Sequence, residues 1–90
     1  MKWGSKKEIE KRNRILISIY AYSYEFENDS LISDSEYDKL AEEINTKIGT
    51  GNRKMDLFFK LNYTPDSGMW IRNHPDLEGL RRIYRKYYKL

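Results

Sequence analysis

The stretch LISDSEYD, Leu31 to Asp38, constrains this chain more than any other, because it spells out the start of a helix in side-chain chemistry. Ser33 followed three residues later by Glu36 makes a capping box, in which each side chain accepts the backbone N–H of the other. Asp34 adds negative charge where the helix dipole is positive. Behind this start, Tyr37, Leu40, Ala41, Ile44 and Ile48 recur at helical spacing and form one apolar stripe. The expected end is GTGN, residues 49–52, whose glycines can take the left-handed conformation of a C-terminal cap.

A one-sided helix must bury its stripe against something, and the rest of the sequence offers helices rather than strands. Upstream, residues 5–28 predict a long helix. Ile15, Ile19, Tyr22 and Phe26 form one row on it, and Leu16, Tyr20 and Tyr24 form a second beside it, a face wide enough for more than one neighbour. Downstream, RKMDLFFKLNY predicts a shorter helix with Met55, Phe58, Phe59 and Asn62 along one side. TPDSG, Thr64 to Gly68, reads as a tight turn, and MWIRN as a short extended piece. His74-Pro75 opens a last helix with Pro in its first turn, His74 as a cap, and Leu77, Leu80, Tyr84 and Tyr87 as its stripe. The prediction is one all-α domain, residues 1–90, of three to four helices. Residues 5–48 form an N-terminal antiparallel helical hairpin turning at residues 28–32, and residues 53–90 supply C-terminal helices with a basic tail.

Ninety residues leave room for one small core, so the eight Tyr, three Phe and two Trp should carry much of its burial. The absence of Cys excludes disulfides, thiolate metal sites and cysteine nucleophiles, and a single His disfavours a histidine-built metal site or triad. No metal is expected. No apolar run approaches a membrane span, and MKWGSKKEIEKR lacks the apolar stretch of a signal peptide, so a cytoplasmic protein is expected.

Charge is arranged in blocks. Residues 1–14 carry six bases (Lys2, Lys6, Lys7, Lys11, Arg12 and Arg14), residues 25–43 carry eight acids against Lys39 alone, and residues 81–89 carry Arg81, Arg82, Arg85, Lys86 and Lys89 without an acid. Such blocks either neutralise one another across a folded surface or give it two poles that face partners of opposite sign. The last block, interleaved with tyrosines, has the character of a nucleic-acid-binding surface, although cations also suit a helix C-terminus.

Read outward from its opening stretch, YAYSYEFENDSLISDSEYDKLAEEI resembles the N-terminal Ia domain of bacterial NAD⁺-dependent DNA ligases, over residues 9–44 in all. That family carries a Tyr-x-Tyr pair on one helix, then a short loop, then Ile-Ser-Asp-x-Glu-Tyr-Asp-x-Leu; here these fall on Tyr22 and Tyr24 and on Ile32 to Leu40 without a gap. The resemblance implies a helical domain that grips the nicotinamide mononucleotide half of NAD⁺, with Tyr22, Tyr24, Asp34, Tyr37 and Asp38 as contacts. Aromatic faces and carboxylates suit a flat pyridinium cation and ribose hydroxyls. The chain departs from the family at Tyr20, often His there, at Ser30, a proline there, and at Glu25, a carboxylate where a phosphate would approach. The adenylation domain's Lys-x-Asp-Gly is absent, so ligase activity, and catalysis generally, is not expected.

Three functions follow. The first is a non-catalytic accessory or regulatory protein, of the kind phages use as inhibitors, that binds a protein partner as a monomer or homodimer. The second is a module that binds NAD or nicotinamide mononucleotide and requires no other cofactor. The third is a nucleic-acid-binding module using the basic ends.

Overall fold

The computed structural model describes residues 5–89; Lys2 of the basic N-terminal block lies outside them. Helix α1 spans Lys6–Glu27, α2 Asp34–Glu43, α3 Arg53–Asn62 and α4 Leu77–Tyr87, with a 3-10 turn at Met69–Asn73 before α4. Among the described residues there is no strand, and no helix is long and apolar enough to cross a membrane.

Local chemistry sets most boundaries. The Ser5 side chain accepts the Glu8 N–H at the start of α1, and Asn28 ends it in the left-handed conformation, φ 52°, which Asn tolerates better than most residues. Ser33 and Glu36 form the reciprocal capping box at α2, and Asn52 caps α3 through the Met55 N–H. At α4 the cap is Asp76, which accepts from Gly79. His74 stands one step further out, its Nδ1 accepting the Asp76 N–H at 2.9 Å. Pro75 therefore precedes the helix rather than opening it.

Helix α1 is the axis of the fold and packs against α2, α4 and the 3-10 turn. Its buried residues run in adjoining rows, Glu10–Arg14–Ser18–Tyr22, Ile17–Ala21 and Ile19–Ser23. Small residues at 18, 21 and 23 let neighbours approach closely. That close face, which a hydropathy count overlooks, turns the helix so that Ile15 and Phe26 are left about half exposed. The core is completed by Ala41, Phe58, Phe59, Trp70, Ile71, Leu80 and Tyr84. The Trp70 ring lies 5.3 Å from Phe59 and 5.1 Å from Tyr63, centroid to centroid, within the range where aromatic pairs gain beyond area burial. On α4 the predicted stripe holds at Leu77, Leu80 and Tyr84, but at its end Tyr87 faces solvent and the half-buried Tyr88, just past the helix, packs against the core instead.

Two predicted elements come out differently. MWIRN is the 3-10 turn, not an extended piece, with Trp70 and Ile71 buried. Helix α2 stops at Glu43, before Ile48 and GTGN, and Ile44 is extended. The cause is Glu10 and Arg14 on α1. The Glu10 carboxylate accepts the Asn45 N–H at 3.0 Å. Arg14 donates to the Asn45 and Ile48 carbonyls, both at 2.9 Å, to Glu10 at 2.7 Å and to Asp56 at 2.8 Å. The backbone after Glu43 is thus captured by side chains instead of continuing as helix. Asp56 also accepts from the Thr50 side chain and backbone. Those Thr50 bonds first, and Arg14 behind them, hold its carboxyl below the ordinary range against the opposing pull of burial. Of the two glycines, Gly51 takes positive φ, 88°, and serves the turn into α3.

Candidate functional site

A cleft of about 350 Å³ opens where the C-terminal half of α1, the turn into α2, the first turn of α2 and residues 66–69 meet. Tyr24, Asp34, Tyr37 and Asp38 all line it, so four of the five residues implied by the ligase resemblance come together. Glu25 and Asp66 bring its carboxylates to four, and no Lys or Arg is among its walls. Among the described residues no three potential metal ligands are grouped closely enough to hold an ion. These acids therefore set up a negative field rather than a coordination sphere.

Each wall has a local reason for its position. Asp34 is the first residue of α2, fixed by the Ser33 cap. Asp38 lies one turn further on, exposed. Tyr37 is half-buried between them; its oxygen accepts the Trp70 indole N–H at 3.3 Å, which leaves its own proton free to donate. Burial pushes the Tyr37 phenol above its ordinary pKa, and Asp38 and Glu25 add to that while the Trp70 bond opposes it. It therefore stays a neutral donor at physiological pH. Glu25 is partly neutralised by Arg72, whose Nε and a terminal nitrogen each lie 3.1 Å from it.

Tyr22 does not belong to the cleft. It is buried, stacked on Phe26 at 5.4 Å, tilted against Tyr84 at 6.0 Å, and its hydroxyl donates to Glu27 at 2.6 Å. Burial and that bond raise its pKa to about 12. The reason is helical geometry: residues two apart lie roughly 200° apart around the axis, so Tyr22 and Tyr24 cannot share a face. The partner of Tyr24 is Tyr20, one turn earlier, which does line the cleft and sits edge-on to Tyr88 at 6.5 Å. The sequence signal for Tyr20 was its i, i+4 spacing to Tyr24.

The basic block of α4 lies elsewhere. Arg81, Arg82, Arg85, Lys86 and Lys89 are exposed. Arg81 pairs loosely with Glu78 at 3.4 Å, and the Lys86 ammonium sits 5.3 Å from the Tyr87 ring centre. This is a cationic helix face with one exposed aromatic, and it is not part of the acidic cleft.

The chain matches no protein-family model, no curated protein and no solved structure.

Proposed function

We propose that this protein is a non-catalytic helical binding protein that takes a basic side chain of a protein partner into the acidic cleft. The observation that carries the reading is the convergence of four carboxylates and the tyrosines at 20, 24 and 37 on one concavity without a cation among its walls. A guanidinium or ammonium placed there gains charge-assisted hydrogen bonds and an aromatic face. The cleft is shallow on its outer side, where Tyr24 is 58% exposed. A small ligand needs most of its surface covered, and a protein partner would supply the missing wall. The test is affinity capture from cell lysate, using the wild-type protein and Asp34→Asn/Asp38→Asn as parallel baits. A partner held by the first, lost by the second and displaced by an arginine-containing peptide supports the reading; equal retention by both baits removes it.

A pyridine nucleotide is the second reading, favoured by the meeting of Tyr24, Asp34, Tyr37 and Asp38 at the positions the ligase resemblance implies. Glu25 is less of an obstacle than its charge suggests, because Arg72 pairs with it and stands ready for a phosphate. The kinship further requires α1 and α2 to run as an antiparallel hairpin; the contact between them and the reversal begun at Asn28 support this. Calorimetric titration with NAD⁺ and nicotinamide mononucleotide decides it: no heat at millimolar ligand removes this reading and leaves the first intact.

A further inference from the structure

The larger concavity lies on the other side of α1, and it has the opposite character. It encloses about 820 Å³ between the N-terminal half of α1, the turn and first residues of α3, and the start of α4. Its floor is apolar, formed by Met55, Phe59, Leu80 and Ile83 with Ile15 at the edge. Its rim carries Lys7, Lys11 and Lys54, all exposed, and among the described residues none of them is in an ion pair. The other charged groups facing it are already committed. Arg14 is held by Glu10 and Asp56, and Asp76 caps α4.

Two details argue that the rim is arranged rather than incidental. Lys7 and Lys11 are one turn apart on the same helix face, a like-charge pairing that is unfavourable in an isolated helix. Asp76 is the one acid lining the cleft, and it is turned to the Gly79 N–H and pairs with neither lysine. Lys7 also reaches across to the turn before α3, its Nζ lying 3.4 Å from where a side chain would begin at Gly51, so its ammonium is drawn to the mouth of the cavity. A nucleic-acid strand would satisfy the lysines but find little aromatic surface on which to stack, since Phe59 is only 1% exposed and the His74 ring is half-buried edge-on to Phe58.

We propose that this cleft binds an amphipathic carboxylate, with its anionic head among Lys7, Lys11 and Lys54 and its chain along Met55, Leu80 and Ile83. A chain of about ten carbons suits a concavity within the size range of small-molecule sites. The chain's three methionines make a direct assay, because Met55 lines this cleft and Met69 lines the acidic one. Protein labelled with ¹³C at the methionine methyl groups is titrated with decanoate, decyltrimethylammonium, acetate and an oligothymidylate, with the surfactants kept below their micelle concentrations. Decanoate is expected to shift the Met55 resonance saturably and leave Met69 in place, while acetate does nothing. Decyltrimethylammonium, with the same tail and the opposite charge, is expected to bind about tenfold or more weakly. Lys11→Glu/Lys54→Glu should weaken decanoate about tenfold without changing the circular dichroism spectrum, since both side chains are exposed. Ile15→Asp, at the edge of the floor, gives a second variant should the double change disturb folding. The proposal is overturned if Met55 does not respond to decanoate, if the cationic surfactant binds as well, if neither variant matters, or if only the oligonucleotide shifts Met55. The two clefts report on different methionines, so failure here leaves the reading of the acidic cleft untouched.

Discussion

Charged side chains do different work at the two ends of α1. Near its start, Glu10 and Arg14 are 2% and 4% exposed, and the guanidinium is bonded through all three of its nitrogens to Glu10, Asp56 and two backbone carbonyls. Near its end, Glu25 joins Asp34, Asp38 and Asp66 around a cleft open to solvent, where only Glu25 has a cation. Among the described residues, no buried side-chain nitrogen or oxygen lacks a partner. The difference teaches how to sort charge in a small helical protein. A buried ionic group with its bonding capacity filled specifies where the chain goes. An exposed cluster of like charge, held in place by caps and tyrosines, is a surface waiting for something of opposite sign.

The largest effect is expected where the network is broken. Arg14→Met would leave Glu10 buried without its cation and free two carbonyls, so thermal or urea unfolding should show a loss of about 3–5 kcal/mol. Adding Glu10→Gln should recover part of it, because the stranded charge is then gone; a simple sum of the two single effects would mean that the pair is not coupled. If Arg14→Met proved neutral, the contrast between the two ends of α1 would disappear.

The tyrosines sharpen the comparison at a smaller scale. Tyr22→Phe removes the bond to Glu27 and should cost about 1–2 kcal/mol while leaving partner or ligand binding unchanged. Tyr24→Ala should do the reverse, since more than half of that side chain is already exposed. Alkaline titration checks the placement of Tyr22 independently. Its folded pKa of about 12 lies above the ordinary phenol value of about 10, so its contribution to stability is complete below pH 10 and is lost as the pH rises toward 12. In Tyr22→Phe that part of the alkaline loss should be missing.

These substitutions also mark what the sequence revealed. The α2 start and much of the aromatic core follow from spacing a reader can count, because caps and helix rows act over three or four residues. Tyr24, Asp34, Tyr37 and Asp38 of the cleft are implied by the ligase resemblance, and Asp66 by neither. The early end of α2 does not, since the groups that impose it, Glu10 and Arg14, sit more than thirty residues away in the chain. Charged residues on α1 read as surface by default, and nothing local announces that Asn45, Ile48 and Asp56 will meet them. MWIRN differs from its predicted extended form for a related reason. Five residues carry too little periodicity to separate a 3-10 turn from an extended piece, and what fixes the turn is the burial of Trp70 and Ile71. The substitution of Tyr20 for Tyr22 as a cleft wall, in contrast, was available from the helical period alone.

At the surface end of the scale, Asp34→Asn and Asp38→Asn should each move stability by less than about 0.5 kcal/mol, as exposed positions usually do, while acting strongly on capture of a partner. Loss of stability comparable to Arg14→Met would mean that the cleft acids are structural after all.

The smallest expected effect belongs to His74, which lies between the two classes. It is half-buried edge-on to Phe58, at 5.2 Å, and its Nδ1 must be unprotonated to accept the Asp76 N–H. Burial lowers its pKa, and the Asp76 carboxylate works against that without cancelling it. Because the folded value is depressed, the neutral ring's contribution is complete above the unfolded pKa of about 6.5 and is lost as the pH falls through the folded one. Melting temperature should therefore decline gently on the acid side of neutrality, and NMR titration of the imidazole should place its midpoint below that of a free histidine. His74 is the only histidine in the sequence, so no other imidazole contributes to the slope. His74→Asn keeps an acceptor for Asp76 while removing the titration, and a profile made flat by that change would assign the slope to the ring. An unchanged slope in His74→Asn would assign it instead to the carboxylates that the fold holds below their ordinary range, Asp56 under its Thr50 bonds and Glu36 in the capping box.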